Sequence, residues 1–346
     1  MSKKVLITGG AGFIAHHVID KMLRETDWKI TCLDRLDISG NLNRLHDMLQ
    51  DHDSKMVSSR LRVVFHDLKA ELNEMIVKDI GEIDIILHLA AGSHVDRSIE
   101  YPMEFVMDNV IGTTNLLQYA RTIKNLKKFV YFSTDEVFGQ VLDGSFTEHS
   151  PLQPRNPYSA SKAGGEELAV AFENTYKLPV FISHTMNVFG PRQHPEKYIP
   201  MCIRKVRDND TVYIHSDNTM TIPGSRFYIH GSDVADAIYF LLNLNEEQLK
   251  LVYKPDFGGA KCPKFNVVGK EEINNLQLAK YIAECQNKDL KYEMIDFHSS
   301  RPGHDLRYAL SGEFMKSLGW QPKYTLRERI KEVVDWSLKN PDWINV

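Results

Sequence analysis

Short apolar runs alternate with longer helical patterns through the first half of the chain. The short runs are rich in β-branched residues and mostly end in Gly, Asp or Ser, which predicts buried strands. These strands are expected at residues 4–8, 30–33, 62–65, 83–89, 128–132 and 179–183. The segments between them predict helices at residues 16–25, 68–78, 106–124 and 159–176. Strands that alternate with helices predict βαβ units and a parallel sheet buried on both faces.

The pattern changes after about residue 187, where Pro and Gly become frequent and loops interrupt the periodicity. Residues 233–244 and 326–338 still predict helices, and residues 264–268 predict a strand. We therefore expect a smaller mixed α/β C-terminal lobe, from which some segments return to the sheet. The predicted division is a sheet domain of residues 1–186, with returning segments near 228–245 and 263–268, and a lobe of residues 187–346.

A glycine-rich turn follows the first predicted strand and opens a helix. It begins at Gly9 and reads Gly-Gly-Ala-Gly-Phe-Ile. The backbone N–H groups of such a turn, with the helix N-terminus, can hold a pyrophosphate. Asp34 ends the second strand 19 residues beyond Ala15, where a carboxylate accepts hydrogen bonds from the ribose of a dinucleotide. The pattern predicts a Rossmann-type doubly wound parallel sheet, with the smaller lobe binding the substrate.

The Asp34 carboxylate favours NAD over NADP. It would repel the 2′-phosphate of NADP by about 4 kcal/mol per unit charge, at a separation of about 4 Å and an effective dielectric of about 20. Arg35 follows directly and argues in the other direction. Asp67 ends the third predicted strand and has two interpretations, contact with adenine or the N-cap of the following helix.

Composition narrows the class of protein. The 346 residues are 42% hydrophobic and 25% charged, which is ordinary for an enzyme with a full core. A net charge of −4 argues against nucleic acid as a partner, and no apolar run approaches the length of a membrane span. The N-terminus is a strand and a glycine turn rather than a signal peptide. Four scattered cysteines predict reduced thiols in a cytoplasmic protein rather than disulfides or a zinc site.

Five side chains with acid or base chemistry lie within thirty residues of one another. Tyr158 and Lys162 are four residues apart and therefore share one face of a helix. A tyrosine is a poor base because its pKa is near 10, and a fixed ammonium beside it lowers that pKa. Thr134 precedes Asp135 and Glu136, a second acid/base pair that alcohol oxidation does not need. Alone the pair would be typical of a solvated turn, but the end of a fifth parallel strand faces the ligand crevice.

Several motifs together resemble the nucleotide-sugar 4,6-dehydratases among the extended short-chain dehydrogenase/reductases. They begin at Gly9 (GGAGFI), His88 (HLAA), Ser93 (SHVDRS), Ser133 (STDEVFG), Tyr158 (YSASK), Pro195 (PEKYIP) and Arg301 (RPGHD). The resemblance covers nearly the whole chain and is strongest to the dTDP-glucose 4,6-dehydratases, with a UDP-glucose-using relative equally conceivable. The chain departs from the family pattern at Ala15, Gly92, His184 and Val188.

The resemblance implies a redox-neutral reaction in which hydride passes from the sugar C4 to NAD and later returns to C6. Tyr158 would remove the C4 hydroxyl proton, Thr134 would hydrogen-bond the C4 oxygen, and Lys162 would lower the pKa of Tyr158 and hold the nicotinamide ribose. Glu136 would abstract the C5 proton, and Asp135 would protonate the departing C6 hydroxyl. Oxidation would thus use the tyrosine, and water elimination would use the carboxyl pair.

The resemblance also implies two sets of binding residues. The NAD site would comprise Gly9, Gly12, Phe13, Ile14, Asp34, Asp67, Leu68, Ala90, Tyr158 and Lys162. The nucleotide-sugar site would comprise Ser93, Asn187, Glu196, Lys197, Arg226, Asn266, Arg301 and His304. Taken alone, each of these arginines is more often a surface salt bridge, and Ser93 is nearly as often an ordinary loop residue. His88 is expected to be structural, and no metal site is expected.

Quaternary structure and the competing functions complete the expectations. A homodimer is expected, because the helices at 106–124 and 159–176 could pair into a four-helix interface.

One alternative is another extended family member, a nucleotide-sugar 4-epimerase or a UDP-glucuronate decarboxylase. These enzymes share the glycine turn and the Tyr-Lys pair but not the carboxyl pair in this role. The other alternative is a dinucleotide-binding scaffold without turnover, which needs none of the catalytic residues.

Overall fold

Seven parallel strands form the central sheet of the protein. The computed structural model describes residues 2–37, 39–253, 262–296 and 307–345. The strands of this sheet are β1 (Lys4–Thr8), β2 (Lys29–Asp34), β3 (Leu61–Phe65), β4 (Ile85–His88), β5 (Lys128–Thr134), β6 (Val180–Thr185) and β10 (Lys264–Val267). Their order is β10-β6-β5-β4-β1-β2-β3, and every pair is parallel. The predicted Rossmann-type doubly wound α/β fold is confirmed.

The strand order places a ligand crevice at one edge of the sheet. The chain builds outward from β1 through β2 to β3, then returns to the other side of β1 with β4. Sheets of this kind bind ligands where the order reverses, outside the carboxyl ends of the strands. Thr8 ends β1 and Thr134 ends β5, so the glycine turn and the predicted catalytic triplet Thr134-Asp135-Glu136 lie at the same edge.

Helices cover both faces of the sheet. The helices before residue 180 are α1 (Phe13–Glu25), α2 (Leu42–Leu49), α3 (Ser54–Arg60), α4 (Glu74–Ile80), α5 (Val95–Glu100), α6 (Pro102–Val106), α7 (Gly112–Thr122) and α8 (Pro157–Tyr176). Those after it are α9 (Tyr198–Arg207), α10 (Gly231–Leu242), α11 (Glu246–Val252), α12 (Asn275–Cys285), α13 (Glu313–Ser317) and α14 (Leu326–Lys339). Helices α1 and α10 pack on one face through Val18 and Ile238, and α7 and α8 pack on the other through Leu116 and Ala169.

Two of the predicted helices need correction. The helix expected at 68–78 is present only as Glu74–Ile80, because the Asn73 side chain accepts a backbone N–H of the first turn and caps the helix there. The helix expected at 106–124 is divided by a π-helical turn, Met107–Ile111, between α6 and α7. None of the helices in the described ranges is long and apolar enough to cross a bilayer.

A smaller lobe carries two short sheets. Strands β7 (Asn187–Phe189), β9 (Ser225–His230) and β11 (Glu272–Asn274) form one of them, and β8 (Val212–Ser216) pairs with β12 (Tyr292–Asp296) in the other. The expected returning segments do pack on the main domain, since β10 pairs with β6 and α10 contacts α1. The division between residues 186 and 187 stays a prediction, although β7 begins at that point.

One buried carboxylate joins α8 to three strands of the sheet. Glu166 is 0% exposed and accepts hydrogen bonds at 2.7 Å from the Ser133 hydroxyl on β5 and from the Lys264 ammonium on β10. Its other neighbour is His184 on β6, whose Nε2 lies 3.0 Å away. Burial acts to raise the pKa of Glu166, but His184 and Lys264 together hold that pKa well below its usual range. The charge is therefore buried and paired.

Replacing this carboxylate is expected to destabilise the fold. Glu166→Gln should lower the free energy of unfolding by about 3–5 kcal/mol, because it leaves the partly buried Lys264 cation without its counter-charge. Urea unfolding measures the change. The matched control is Glu167→Gln, the exposed neighbour on the same helix, which should stay within about 0.5 kcal/mol of the parent. Equal stability of the two variants would contradict the prediction.

Candidate active site

The turn between β1 and α1 brings the backbone close to the segment that follows β4. Gly9 has φ +68°, and a Cβ atom there would lie 2.8 Å from Cα of Ala90. A Cβ atom at Gly12 would lie 2.8 Å from the carbonyl oxygen of Gly9. Gly12 precedes α1, and no side chain among the described residues caps that helix end. The first N–H groups of α1 therefore have no intrahelical partner and fit a phosphate group.

Two carboxylates lie at the carboxyl ends of β2 and β3: Asp34 is the last residue of β2, and Asp67 follows β3. Asp34 accepts hydrogen bonds from the backbone N–H of Ala11 at 2.9 Å and of Leu36 at 2.8 Å, which fix its orientation. Asp67 accepts the backbone N–H of Lys69 at 3.0 Å and caps a turn, because the next helix begins only at residue 74. The interpretation of Asp67 as a helix N-cap is therefore wrong, and its contact with adenine stays a prediction.

The predicted catalytic triplet lies where β5 ends and a single 3₁₀ turn begins. The Thr134 hydroxyl donates to Oδ1 of Asp135 at 3.0 Å and accepts the backbone N–H of Glu136 at 3.4 Å. The Asn156 side-chain amide donates to Oε2 of Glu136 at 3.2 Å. Oδ2 of Asp135 is buried and has no hydrogen-bond partner among the described residues. A buried polar atom in this state fits the hydroxyl of a bound substrate.

The two carboxyl groups titrate near neutral pH. Burial raises the pKa of Asp135 to about 6. Burial, followed by the charge of Asp135, raises the pKa of Glu136 to about 7. The Arg226 cation acts in the opposite direction on both pKa values. With pKa values this close to neutrality, each of the two carboxyl groups can give or take a proton at physiological pH.

Tyr158 and Lys162 lie on the first turns of α8, facing the triplet. Burial raises the pKa of Tyr158 above its ordinary value, Glu136 raises it further, and Thr134 lowers it. Nζ of Lys162 donates to the carbonyl oxygen of Phe132 at 2.5 Å, and burial lowers the Lys162 pKa to about 7. In this arrangement the carboxyl pair and Thr134 act on the phenol, and the predicted effect of Lys162 on the Tyr158 pKa stays a prediction.

One cleft at the carboxyl edge of the sheet brings most of the predicted residues together. The cofactor residues that line it are Gly9, Gly12, Phe13, Ile14, Asp34, Asp67, Leu68, Ala90, Tyr158 and Lys162. The catalytic and substrate residues that line it are Thr134, Asp135, Glu136, Ser93, Asn187 and Lys197. Residues from both halves of the chain thus contribute to a single site.

The remaining predicted substrate residues occupy different positions. The Arg226 guanidinium lies 4.6 Å from the centre of the Tyr308 ring and close enough to act on the carboxyl pair. Glu196 is 65% exposed at its side chain, on the loop before α9. Arg301 and His304 lie outside the described residues.

Asn266 does not fit its predicted role. It is 0% exposed, and its side-chain amide donates to the backbone carbonyls of Phe146 and Ser311, both at 3.2 Å. Its Oδ1 lies 3.2 Å from Nδ1 of His184. These bonds join the main sheet to the loops beside it, so the geometry does not support contact between Asn266 and the substrate.

Some residues of the cleft were not predicted from sequence. His94 and His194 line it with ring centroids 5.7 Å apart, and burial lowers the pKa of both, that of His94 to about 4. His94 belongs to the motif that begins at Ser93, which was the available signal. Asn156 orients Glu136 and also caps α8, a role that its position before Pro157 indicates.

His88 is structural, as expected. Its Nδ1 lies 2.7 Å from the Thr8 hydroxyl and its Nε2 lies 2.9 Å from the Thr113 hydroxyl, so both ring nitrogens have partners. Within the part of the chain that the structure describes, no group of three or more His, Cys, Asp or Glu side chains is arranged to hold a metal ion.

Comparison with known proteins agrees with this geometry. The family model described as GDP-mannose 4,6 dehydratase matches residues 6–333. A dTDP-D-glucose 4,6-dehydratase of Mus musculus is 36% identical over 99% of this chain and 91% of its own length. A trifunctional Arabidopsis thaliana protein that includes a UDP-glucose 4,6-dehydratase is 35% identical, and the chain covers 48% of it. The crystal structure of a Streptomyces venezuelae dTDP-glucose 4,6-dehydratase with NAD bound superposes with a TM-score of 0.82, at 33% identity and 98% coverage of both chains.

The chain belongs to the GDP-mannose 4,6 dehydratase family of extended short-chain dehydrogenase/reductases. The resemblance that the sequence motifs indicated is thereby confirmed, and with it the enzyme class, a 4,6-dehydratase.

The raised carboxyl pKa values make stability depend on pH. A group whose pKa is raised on folding binds protons more tightly in the native state, so stability is lost as the pH rises from about 4.5 through about 7. Glutamine cannot ionise, so Glu136→Gln should be more stable than the parent near pH 8 by about 3 kcal/mol, and equally stable near pH 4.5. Urea unfolding at the two pH values measures this. Glu167→Gln, which changes an exposed carboxylate, should show no such difference.

Proposed function

We propose that this protein is an NAD-dependent nucleotide-sugar 4,6-dehydratase, which converts dTDP-glucose or UDP-glucose to the 4-keto-6-deoxy sugar. The observation that carries the proposal is the carboxyl pair beside Tyr158, the buried Asp135 and the partly buried Glu136, with pKa values near neutral pH. An alcohol oxidation or a 4-epimerisation needs one base for the C4 hydroxyl. The removal of water needs a further base and a further acid at adjacent carbons.

The residues at the glycine turn fit the proposed cofactor. Gly9 and Gly12 leave room for a pyrophosphate against the uncapped start of α1, and Asp34 lies at the cleft wall where the adenosine ribose would be held. Tyr158 and Lys162 lie further along the same cleft, where the nicotinamide end would reach. When bound, NAD supplies the acceptor for the C4 hydride and the donor for C6.

Oxidation at C4 is assigned to Tyr158 with Thr134. The phenol takes the proton of the C4 hydroxyl, and the Thr134 hydroxyl positions the same oxygen. Because burial and Glu136 raise the pKa of Tyr158, the phenolate requires a nearby cation. Lys162 is the ammonium of α8 on the same helix face, and we assign it this role together with the nicotinamide ribose.

Elimination is assigned to the carboxyl pair. Glu136, oriented by Asn156, removes the C5 proton that the 4-keto group has made acidic. Asp135 gives a proton to the C6 hydroxyl as water leaves, through the Oδ2 atom that has no partner among the described residues. These roles require Glu136 to be ionised and Asp135 to be protonated, whereas Glu136 has the higher pKa in the free protein, so substrate binding has to reverse that order. Glu136 then returns a proton to C5 as hydride reaches C6.

The nucleotide end of the substrate is assigned to polar residues of the smaller lobe. Lys197 and Asn187 line the cleft, and Arg226 is close enough to the carboxyl pair to shift its pKa values. An arginine can bind phosphate oxygens in a bidentate manner. A comparison of kcat/KM for dTDP-glucose and UDP-glucose measures which of the two nucleotides the enzyme prefers.

A homodimer through α6, the π-helical turn, α7 and α8 is part of the proposal. Met103 is 66% exposed, and Val106, Met107 and Ile111 are each 37% exposed along this segment. An exposed apolar row of this kind is typical of a protein–protein interface. We further propose a reducing, cytoplasmic location, which the four free cysteines support.

The assigned roles predict that substitution of the C5 base stops elimination without stopping oxidation at C4. Glu136→Gln should reduce kcat by about 10²–10⁴-fold and abolish solvent deuterium incorporation at C5 of dTDP-glucose or UDP-glucose, while NAD reduction persists. Tyr158→Phe should abolish both. Product mass spectrometry and absorbance at the NADH band measure the two steps. Glu167→Gln serves as the control and should match the parent. Unchanged product formation by Glu136→Gln would refute the assigned base, and a galactose or pentose product would refute dehydration.

The proposed dimer predicts a charge-sensitive interface. Ile111→Lys should halve the mass measured by light scattering at micromolar concentration to near the 39.8 kDa of one chain, because an ammonium is costly to bury between apolar faces. Met75→Lys changes an apolar residue that is 78% exposed on α4 and should leave the mass unchanged. A parent protein with the mass of one chain would contradict the dimer.

A further inference from the structure

The cofactor end of the cleft carries two conflicting signals. Asp34 at the end of β2 favours a free ribose 2′-hydroxyl, whereas Arg35 beside it is the type of residue that accommodates the 2′-phosphate of NADP. Both side chains line the cleft. The sequence does not say which of them decides the choice between the two dinucleotides.

The structure shows where the Arg35 cation is held. Its Nη1 and Nη2 atoms donate to Oδ1 and Oδ2 of Asp108 at 2.5 and 2.7 Å, a bidentate pair. On its other side, Nε donates to Oδ2 of Asp37 at 2.8 Å, and Asp67 lies 3.6 Å away. These bonds engage all three nitrogens of the guanidinium, the group that a phosphate would need.

Asp108 reaches Arg35 because the helix is locally distorted. It lies in the π-helical turn Met107–Ile111, whose extra residue rotates consecutive side chains into the site. The next residue, Asn109, bonds the backbone of Gly92 and the hydroxyl of Ser161. Two adjacent residues of one helix thus both point inward, and the Asp108 side chain is 11% exposed.

The charges around this end of the cleft add up against a second phosphate. Asp34, Asp37, Asp67 and Asp108 provide four carboxylates along the lining, against the three cations Arg35, Arg44 and Lys69. The Arg44 guanidinium donates to the backbone carbonyls of Ala11, Ser39 and Arg192. A 2′-phosphate would therefore enter a region of excess negative charge, in which Arg35 is already paired with Asp108 and Asp37. A phosphate and a carboxylate repel each other strongly in a partly buried site, where the effective dielectric is low.

We propose that Asp108 is a specificity-determining residue: it holds Arg35 away from the adenosine ribose and so excludes NADP. The inference rests on the proposed NAD-dependent function. It makes the selectivity depend on a residue 73 positions from Arg35 in sequence, in addition to Asp34. Removal of the Asp108 charge leaves Arg35 with Asp37 and frees two N–H groups for a phosphate.

The test is equilibrium binding of NADH and NADPH to the purified protein, followed by nucleotide fluorescence. The parent should bind NADH and bind NADPH at least 100-fold more weakly. Asp108→Asn should strengthen NADPH binding by at least tenfold, with NADH binding changed by less than threefold. The double variant Arg35→Met with Asp108→Asn should lose that gain, because Arg35 itself would contact the phosphate.

Matched variants separate this effect from a general loss of negative charge. Asp79→Asn makes the same substitution in the exposed Arg62–Asp79 pair and should leave the NADPH affinity unchanged. Asp108→Ser replaces Asp108→Asn if the latter does not fold, as judged by thermal unfolding. An equal gain in the double variant, or no gain in either Asp108 variant, overturns the inference. Failure of the parent to bind NADH would instead overturn the proposed function.

Discussion

The arrangement of the site depends on the buried Glu166 carboxylate. It contacts Ser133 on β5, His184 on β6 and Lys264 on β10 from a position on α8, so a single side chain sets the spacing of one helix and three strands. Ser133 directly precedes the triplet that begins at Thr134, and Tyr158 and Lys162 lie on the same helix as Glu166. The two halves of the catalytic set are thereby held together by one desolvated charge. Such a charge is costly to bury, and its three partners offset that cost only while all of them remain in place.

Burial acts on the carboxyl groups beside Glu166 as well, but with the opposite outcome. The cations beside Glu166 lower its pKa in spite of burial. Asp135 and Glu136 have no comparable set of cations, so desolvation raises their pKa values. The result is an acid and a base at neutral pH, obtained at the expense of stability when both ionise. Opposite pKa shifts of carboxylates on neighbouring elements thus agree with a structural role for Glu166 and with the proposed acid and base roles of Asp135 and Glu136.

Sequence patterns located the parallel sheet because its strands are buried on both faces and form short continuous apolar runs. They failed where local periodicity carries no information. The helix expected at 68–78 begins late because Asn73 caps it, and the helix at 106–124 contains a π-helical turn that a regular period cannot indicate. The strands of the smaller lobe are only partly buried, so they lack the continuous apolar run that marks the strands of the main sheet.

The sequence by itself determined the fold class and the glycine turn and indicated the candidate catalytic groups, because these depend on spacing along one chain. Only the tertiary structure decided their states. The near-neutral pKa values of Asp135 and Glu136 come from desolvation by surrounding elements. Asn266 is directed into the interior by bonds to distant loops, and Arg35 is paired by Asp108 from another helix. Charge, burial and pairing depend on neighbours that are remote in sequence, so they follow from the packed chain and not from local pattern.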